Sequence, residues 1–594
     1  MPTLPIIFTT KEDSSFISDL ENRIKQSKGF EYLLDFPIVY IHYWAVDKIS
    51  YVDKDGVAHS YDQYDVYVGE SNNVISRTRQ HFKDGVISSN WQYGLTHTKN
   101  GCIPDFIVIG HEHFNKSFTL DLENRLIEYI LSIPNGLRTI HNGRGNPQNN
   151  YYTADEFKDV FQKVWAGLQK HNITLFPPES VIFDSAIFKA SPLKKLTAQQ
   201  QEAKELIVER VKIAISKKKS GQLVFVQGEA GTGKTVLTTS TFYELLKQTG
   251  VIFGQKLNCH LIVNHDEQLS VYEQIAKRLN LGRNVVSKPT SFINKHDPSN
   301  KVDVCFIDEG HLLLTQGKMS YRGKNQLEDI MQRAKVTVIM FDEYQILTTE
   351  EYWEPDLLES YKRLSIRQKN FINLSHQFRM QCADSTAEWL KRFVIEKTID
   401  EFKEDEKGYE VKAFDSPEKL FEAIKLKAGT DETKLSRMVA TYDWEYSSDN
   451  RPIGKAFWDV NIGGFSMPWN YELLKTIPDK ERRHLKKSAW AEQPHTIDEI
   501  GSTFTIQGFD LSYVGVILGK SVQYKNGRIV FNPLFSKNYK ATQNRTLSNG
   551  HKCKFGSVFI RNEVKVLLSR GVKGLYIYAV DKGLRNALKT IAKI

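Results

Sequence analysis

The residues best suited to chemistry in this chain form a glycine-rich stretch near position 230. Residues 228–235 read Gly-Glu-Ala-Gly-Thr-Gly-Lys-Thr, directly after the apolar run LVFVQ and before the helix-like run VLTTSTFYELL. Glycines let a backbone curl so that its N–H groups, and the helix N-terminus behind them, face phosphate groups. We expect Lys234 to reach the β- and γ-phosphates of a nucleotide and Thr235 to bind Mg²⁺. The loop glycines of this prediction are Gly228, Gly231 and Gly233.

Acidic and amide residues follow two further buried runs. The segment VDVCFIDEGHLL has Asp308 and Glu309 directly after its apolar residues VCFI, and a later apolar run ends in the sequence FDEYQ at Gln345. We expect Asp308 to hold Mg²⁺ through water and Glu309 to polarise the attacking water. Gln345 is placed to sense a γ-phosphate. Together with the loop at 228–235, these residues predict hydrolysis of ATP.

A second group of reactive side chains lies near the N-terminus. Tyr40 and Tyr67 fall on successive strand-like runs, and a helix is expected to begin near Val74. On that helix Arg77 and His81 are one turn apart and therefore share a face. Glu123 follows on a later helical stretch, Leu120–Ser132.

The elements that position these residues fall into four predicted regions. Residues 30–110 alternate apolar and polar in short strand-like runs, followed by helical stretches at Leu120–Ser132 and Ala154–Gln169. Farther on, continuous apolar runs alternate with amphipathic helices, which is typical of parallel sheets covered on both faces. The prediction is an α/β protein with a small α/β domain (1–171), a proline-containing linker (172–195), and two α/β lobes (196–370 and 371–594).

Several motifs of the C-terminal part resemble the core of superfamily 1 helicases, and specifically the Schlafen-like ATPase/helicase family. The resemblance covers roughly 195–594 and implies two RecA-like lobes. Beyond the loop and acids above, it rests on LTAQQ at 196–200, QFR at 377–379, QGFD at 507–510 and VLLSRG at 566–571.

This resemblance implies roles for further residues. Gln200 would touch adenine, and Gln507 and Gly508 would belong to the nucleotide-binding set. Arg379 and Arg570 would contact the γ-phosphate from the lobe opposite the loop, so that hydrolysis is coupled to lobe closure. One departure is Phe504, which stands where many superfamily 1 helicases have histidine.

Residues 35–155 resemble a GIY-YIG nuclease. The resemblance implies that Glu123 holds one Mg²⁺ or Mn²⁺, that Arg77 clamps the scissile phosphate, and that Tyr40 or His81 deprotonates water while Tyr67 positions it. Val39 replaces the first glycine of the family's pattern, and the two tyrosines are unusually far apart. The last residue of the family's pattern is an asparagine, which here is Asn142, Asn146, Asn149 or Asn150, with Asn142 favoured. The alternative is a domain of this shape that only binds nucleic acid and targets the ATPase.

Composition is consistent with these motifs. The chain has 594 residues, 40% of them apolar, and a formal charge of +9, which fits a polyanionic partner. No signal peptide or membrane-spanning run is found in the sequence, and the five scattered cysteines suit a reducing cytoplasm. DNA is favoured over RNA as the partner, although no motif distinguishes them. The sequence leaves open whether the chain forms a homo-oligomer or binds a partner protein.

The expected function is therefore a motor joined to a nuclease. ATP-driven movement on DNA would deliver or license cleavage by the N-terminal domain, and by analogy such microbial fusions resemble restriction or anti-phage defence proteins. A second hypothesis is a repair or recombination helicase whose nuclease trims branched DNA. A third is an ATP-gated switch or RNA-binding scaffold with a non-catalytic N-terminal domain.

Overall fold

The structure is a computed structural model that describes residues 4–589, with gaps in that range. The residues left out within it are 53–57, 83–101, 144–147, 149–150, 248–253, 255, 319, 376, 378, 431–432, 486–488 and 507–508. The chain divides into two compact units. Unit 1 comprises Met1–Leu196 with Val271–Val285, and unit 2 comprises Thr197–Ser270 with Val286–Ile594.

Unit 1 is built on a five-stranded sheet in the order β1-β4-β2-β3-β5. Its strands are β1 (Ile6–Lys11), β2 (Ile38–Val52), β3 (Ala58–Ser71), β4 (Asp105–Gly110) and β5 (Leu137–Ile140). The first four strands pair antiparallel and β5 joins β3 in parallel. The runs PIVYIHYW and YDVYVGES lie in β2 and β3, as their alternating pattern predicts.

Helices pack against this sheet and extend past the predicted domain boundary. They are α1 (Phe16–Lys25), α2 (Glu31–Leu34), α3 (Val74–Phe82), α4 (Lys116–Ser132), α5 (Phe157–Gln169), α6 (Glu179–Asp184) and α7 (Ala186–Lys189). The segment 172–195, predicted as a linker, contains α6 and α7 and belongs to unit 1. The reason is that Leu175, Phe176 and Ile182 are buried there, so the segment completes a core rather than bridging two.

The first lobe of unit 2 has a six-stranded, fully parallel sheet in the order β11-β6-β10-β9-β7-β8. Its strands are β6 (Gln222–Gly228), β7 (Cys259–Val263), β8 (Val286–Ser287), β9 (Val302–Asp308), β10 (Ala334–Phe341) and β11 (Phe371–Leu374). Its helices are α8 (Ala198–Ser216), α9 (Lys234–Lys247), α10 (Asp266–Arg278), α11 (Pro289–Lys295), α12 (Gln326–Arg333) and α13 (Pro355–Arg367). The C-terminal part of α10 clusters with unit 1.

The second lobe has a four-stranded parallel sheet in the order β12-β21-β16-β13, together with three two-stranded ribbons. Its strands are β12 (Glu410–Ala413), β13 (Arg437–Ala440), β14 (Asp459–Ile462), β15 (Phe465–Pro468), β16 (Leu511–Leu518), β17 (Val522–Lys525), β18 (Arg528–Phe531), β19 (Arg545–Thr546), β20 (Lys552–Cys553) and β21 (Gly571–Ala579). Its helices are α14 (Asp384–Lys391), α15 (Pro417–Ala428), α16 (Asp479–Leu485), α17 (Thr503–Ile506), α18 (Tyr539–Thr542), α19 (Gly556–Leu568) and α20 (Lys582–Lys589).

Both sheets of unit 2 are parallel and covered by helices, as the apolar runs predict, and they fit RecA-like lobes. The predicted division between residues 370 and 371 is wrong by a few residues. Strand β11 pairs in parallel with β6 and so belongs to the first lobe. A four-residue strand is too short to show a pattern of its own, which is why the sequence did not place it. None of the described helices is both long and apolar enough to cross a bilayer.

Candidate functional site

The glycine-rich loop joins the end of β6 to the start of α9, and its lysine lies inside it. Lys234 Nζ donates to the carbonyls of Gly228 and Glu229 at 2.7 and 2.8 Å and lies 3.7 Å from Asp342. Gly231 and Gly233 have φ of 86° and 78°, a backbone conformation that side chains with a Cβ disfavour. The loop therefore folds as predicted, with a buried ammonium at its centre.

The acids predicted to serve hydrolysis lie at the end of β9, next to the loop. Asp308 Oδ2 accepts from the Thr235 hydroxyl at 3.3 Å and from the Gln268 amide at 2.8 Å. Glu309 has left-handed backbone geometry (φ 49°). Burial raises the pKa of the Glu309 carboxyl, although Lys234 and Arg570 act in the opposite direction. The Glu309 carboxyl is therefore desolvated and lies within electrostatic range of Lys234 and Arg570.

Two arginines of the second lobe reach this region. A Cβ placed on Gly231 would stand 2.5 Å from the Arg379 Cβ, so Arg379 packs directly against the loop. Its Nε contacts Asp510 Oδ1 at 2.5 Å. Arg570 is 1% exposed and makes two long hydrogen bonds, to the Phe509 carbonyl at 3.3 Å and to Gln345 Oε1 at 3.5 Å. Arg379 is thus brought to the loop, and Arg570 to Gln345.

Gln200 lies beneath the loop. It is the third residue of α8, where it forms a capping box with Thr197, and its Nε2 donates to the Thr232 carbonyl at 3.1 Å. A Cβ on Gly233 would collide with the same amide. These contacts tie Gln200 to the loop, and the predicted adenine contact stays a prediction. Gln507 and Gly508 lie outside the described residues.

The residues of this site fit a nucleoside triphosphate with Mg²⁺. Thr235 and Asp308 present a hydroxyl and a carboxylate oxygen 3.3 Å apart, which is the hard donor chemistry that Mg²⁺ prefers. Lys234 and Arg570 are buried cations beside them. When bound, the metal would neutralise charge on the phosphates.

The predicted residues of unit 1 meet on one side of its sheet. Tyr40 OH lies 2.9 Å from His81 Nε2 and accepts from Arg77 Nε at 3.4 Å. The Tyr67 ring is 6.1 Å from Tyr40 and 5.7 Å from His81, centroid to centroid. Gly69 pairs with Tyr40 across the strands, and a Cβ there would meet the Tyr40 ring at 2.5 Å, which explains the glycine. Burial lowers the pKa of His81 to about 4, so its imidazole is neutral near pH 7.

Glu123 and Asn142 form the other half of this cluster. Asn142 Nδ2 donates to Glu123 Oε1 at 2.7 Å and to the Val68 carbonyl at 2.8 Å, next to Tyr67 on β3. The other three candidate asparagines lie outside the described residues. Burial raises the pKa of Glu123 to about 8, and the charge of Glu70 adds to this effect. Glu70 itself is paired with Lys116 at 2.5 Å, and the described residues contain no group of three or more potential metal ligands. Glu123 would therefore hold a divalent cation as a single protein carboxylate.

Sequence reasoning gave no role to several polar residues at these two sites. In unit 2, Asp342 accepts from Gln345 Nε2 at 2.9 Å and faces Lys234. In unit 1, Glu12 Oε1 lies 2.5 Å from His42 Nδ1, and both side chains are almost fully buried. His42 lies two residues after Tyr40 on β2, so alternation along the strand could have placed it on the same face.

Comparison with known proteins bears on unit 2. Residues 221–581, more than half of the chain, match the family described as Schlafen group 3, DNA/RNA helicase domain. The chain is also 30% identical over 447 residues to the uncharacterized protein YPL245W of Saccharomyces cerevisiae, covering 69% of this chain and 94% of that protein.

Solved helicase structures show a more distant likeness. The PRRSV helicase is 10% identical with a TM-score of 0.26, covering 63% of this chain and 56% of that chain. Pif1 helicases in a study of unwinding at forked duplex DNA are 10% identical with a TM-score of 0.27, covering 66% of this chain and 94% of that chain. The family match, with the loop, acids and arginines in place, shows that the chain is a helicase-type P-loop ATPase and belongs to the Schlafen group 3 DNA/RNA helicase domain family.

Proposed function

We propose that unit 2 hydrolyses ATP while moving along single-stranded nucleic acid, with DNA the favoured strand. The observation that carries this proposal is the approach of Arg379 and Arg570, from the second lobe, to the loop and Gln345 of the first lobe. In this arrangement Lys234 and the arginines hold the phosphates and Glu309 orients water. The loss of the γ-phosphate removes the group that both lobes share, so the lobes separate. That cycle converts hydrolysis into movement.

The test of this motor is ATP turnover with and without polynucleotides. Basal turnover should be low and should rise with single-stranded DNA, while binding should weaken steeply with salt because phosphate contacts release counterions. Parallel reactions with single-stranded RNA of the same sequence show whether DNA or RNA activates turnover more strongly. Turnover that stays flat with every polynucleotide at low salt would favour a nucleotide-gated switch.

We further propose that unit 1 is a GIY-YIG endonuclease dependent on Mg²⁺ or Mn²⁺. The meeting of Tyr40, His81 and Arg77 on one side of the sheet supports this proposal. Arg77 would bind the scissile phosphate, and neutral His81 would take a proton through Tyr40 from water. Glu123, held by Asn142, would keep the cation next to that phosphate. The role in defence against phages stays a prediction from analogy, and neither activity depends on it.

The test of the nuclease is cleavage of labelled single-stranded, duplex and forked DNA and RNA with Mg²⁺ or Mn²⁺. EDTA should stop cleavage and Mn²⁺ should restore it, since the site has carboxylate rather than thiolate donors. Binding of these substrates without cleavage under any metal would instead support a unit that only recruits nucleic acid to the ATPase.

A further inference from the structure

A glutamate and a histidine form a buried pair inside the candidate nuclease site, and neither has a role in the reaction proposed for it. Glu12 Oε1 lies 2.5 Å from His42 Nδ1, and the two side chains are 4% and 0% exposed. Their surroundings are apolar, since the His42 ring packs on Phe106 with centroids 4.6 Å apart and Phe106 packs edge-on against Phe16. Polar groups in such a core cost free energy that two apolar side chains would not. The pair is therefore expected to serve the chemistry of the site rather than the stability of the fold.

The register of the strands brings this pair to the two tyrosines of the site. Glu12 directly follows β1, and its N–H donates to the Pro104 carbonyl at 2.9 Å, which fixes the backbone beside the start of β4. His42 lies on β2, where it pairs with Tyr67 of β3. Because side chains two residues apart on a strand share a face, His42 also lies on the same side of the sheet as Tyr40. The carboxyl thus comes from the edge strand and the imidazole from the centre of the sheet.

The His42 ring lies among the three rings that are proposed to position the attacking water and take its proton. Its centroid is 5.4 Å from that of Tyr40, 6.1 Å from that of Tyr67 and 6.3 Å from that of His81. It meets the Tyr40 and His81 rings edge-on, at 84° and 90°. The hydrogen bond to Glu12 holds the plane of the His42 imidazole. A change in that plane would displace the neighbouring rings, on which the 2.9 Å contact between Tyr40 OH and His81 Nε2 depends.

We propose that Glu12 and His42 are positioning residues of the nuclease site. The carboxyl fixes the His42 ring, and this ring keeps Tyr67 and His81 in the orientation that activation of water requires. Neither residue touches the substrate, so the pair contributes orientation and not proton transfer. This inference rests on the proposed nuclease function and adds to it the residues that hold its reactive rings in place.

The experiment measures kcat and KM of cleavage, and urea unfolding, for the full chain. Its substrate is the member of the labelled DNA and RNA panel that the parent protein cleaves fastest with Mg²⁺ or Mn²⁺. Glu12→Gln keeps a carbonyl oxygen that can accept from His42 Nδ1, so kcat should stay close to that of the parent. His42→Asn keeps an amide N–H that can donate to Glu12 but removes the ring, so kcat should fall about tenfold to a hundredfold with KM unchanged.

A double replacement separates this role from a purely structural one. Glu12→Leu combined with His42→Leu removes both polar partners at once, so neither is left behind unpaired and the free energy of unfolding should be kept or raised. The kcat of this double leucine variant should nevertheless fall as far as that of His42→Asn. His113 and Glu156 provide the matched control, because they form another His–Glu contact of 2.5 Å in unit 1, between partly exposed side chains next to the start of α5. His113→Leu combined with Glu156→Leu should leave kcat and KM at the values of the parent.

The possible results separate the positioning role from the nuclease function. Parental kcat in either His42→Asn or the double leucine variant would refute the positioning role while the nuclease stands. A loss in Glu12→Gln as large as that in His42→Asn would also refute it, because the charge of the carboxyl would then matter rather than its hydrogen bond. A lower free energy of unfolding in the double leucine variant, with kcat falling in proportion, would show that the pair serves the fold. If the parent protein cleaves no member of the panel with either metal, the nuclease function fails and the positioning role fails with it.

Discussion

Replacing Arg570 by methionine should abolish ATP turnover without weakening the fold. The guanidinium is buried in the second lobe and its two hydrogen bonds are long, at 3.3 and 3.5 Å. Such bonds are near the distance limit and stabilise the folded state little. The Arg570 side chain is therefore held next to Gln345 in an unfavourable environment.

The lowered pKa of Arg570 shows how strongly its charge destabilises the folded state. Burial, followed by the neighbouring Arg379, lowers the pKa of Arg570 to about 9 from 12.5. A base whose folded-state pKa is depressed destabilises the folded state when it is charged; the shift corresponds to roughly 5 kcal/mol as an upper bound. Methionine removes the charge and fills a similar volume. The unfolding free energy of Arg570→Met should be unchanged or higher by up to a few kcal/mol. ATP turnover should fall about a thousandfold or more, as for loss of an arginine finger.

Arg437 provides the matched control because burial lowers its pKa as well, to about 10, whereas its hydrogen bonds are short, so the two arginines differ mainly in how well they are bonded. It donates to Thr496 Oγ1 and to the carbonyls of Lys434 and Ser436 at 2.8, 2.8 and 2.9 Å. Arg437→Met removes these three hydrogen bonds and should destabilise the fold by about 3 kcal/mol or more, with ATP turnover largely kept at low temperature. Urea unfolding and steady-state phosphate release measure the two properties. A clear loss of stability in Arg570→Met, or turnover within about tenfold of the parent, would refute this reasoning.

Three other predictions concern single side chains. Glu309→Gln should bind ATP and hydrolyse it roughly a hundredfold more slowly, measured by nucleotide binding and phosphate release; parental turnover would show that Glu309 does not orient the water. Arg77→Ala should lose nucleic-acid cleavage while Arg79→Ala, an exposed change on the same helix, keeps it; equal cleavage by both would remove Arg77 from the site. Burial lowers the pKa of His260 to about 4, so the unfolded chain takes up a proton at a higher pH than the folded protein does. The free energy of unfolding should therefore fall as the pH drops from about 6.5 to 4, by at most on the order of 3 kcal/mol. Urea unfolding at pH 7.5 and pH 5 should show a smaller loss of stability for His260→Gln than for the parent protein.

The ATP site was largely predictable from sequence because its parts are local. The loop at 228–235 and the acids at the end of β9 each lie at the end of a buried strand, where the pattern of apolar runs already places them. Asp342 was not assigned because its role depends on Lys234, which is distant in sequence and close only in the fold. The hydrogen bonds of Gln200 to Thr197 and Thr232 depend in the same way on the packing of α8 under the loop.

In unit 1 the sequence indicated the residues of the candidate site but not where the unit ends. The i and i+4 spacing of Arg77 and His81 and the alternation of β2 were sufficient to group the side chains. The extent of the unit was not predictable, because α6 and α7 are too short to show a helical period and the unit also includes Val271–Val285. Burial of single residues such as Phe176 depends on contacts that sequence spacing does not report.

In the proposed function, one chain combines an ATPase and a separate phosphodiesterase site. The most direct measurement is plasmid nicking and phosphate release in the same reaction, with Mg²⁺ and ATP, for the parent, Glu123→Gln and Lys234→Ala. Glu128→Gln serves as a control, since Glu128 lies on the same helix but pairs with Arg125 at 2.9 Å. We predict that Glu123→Gln hydrolyses ATP but does not nick DNA, and that Lys234→Ala does not hydrolyse ATP. Undiminished nicking by Glu123→Gln, or undiminished ATP hydrolysis by Lys234→Ala, would contradict the account.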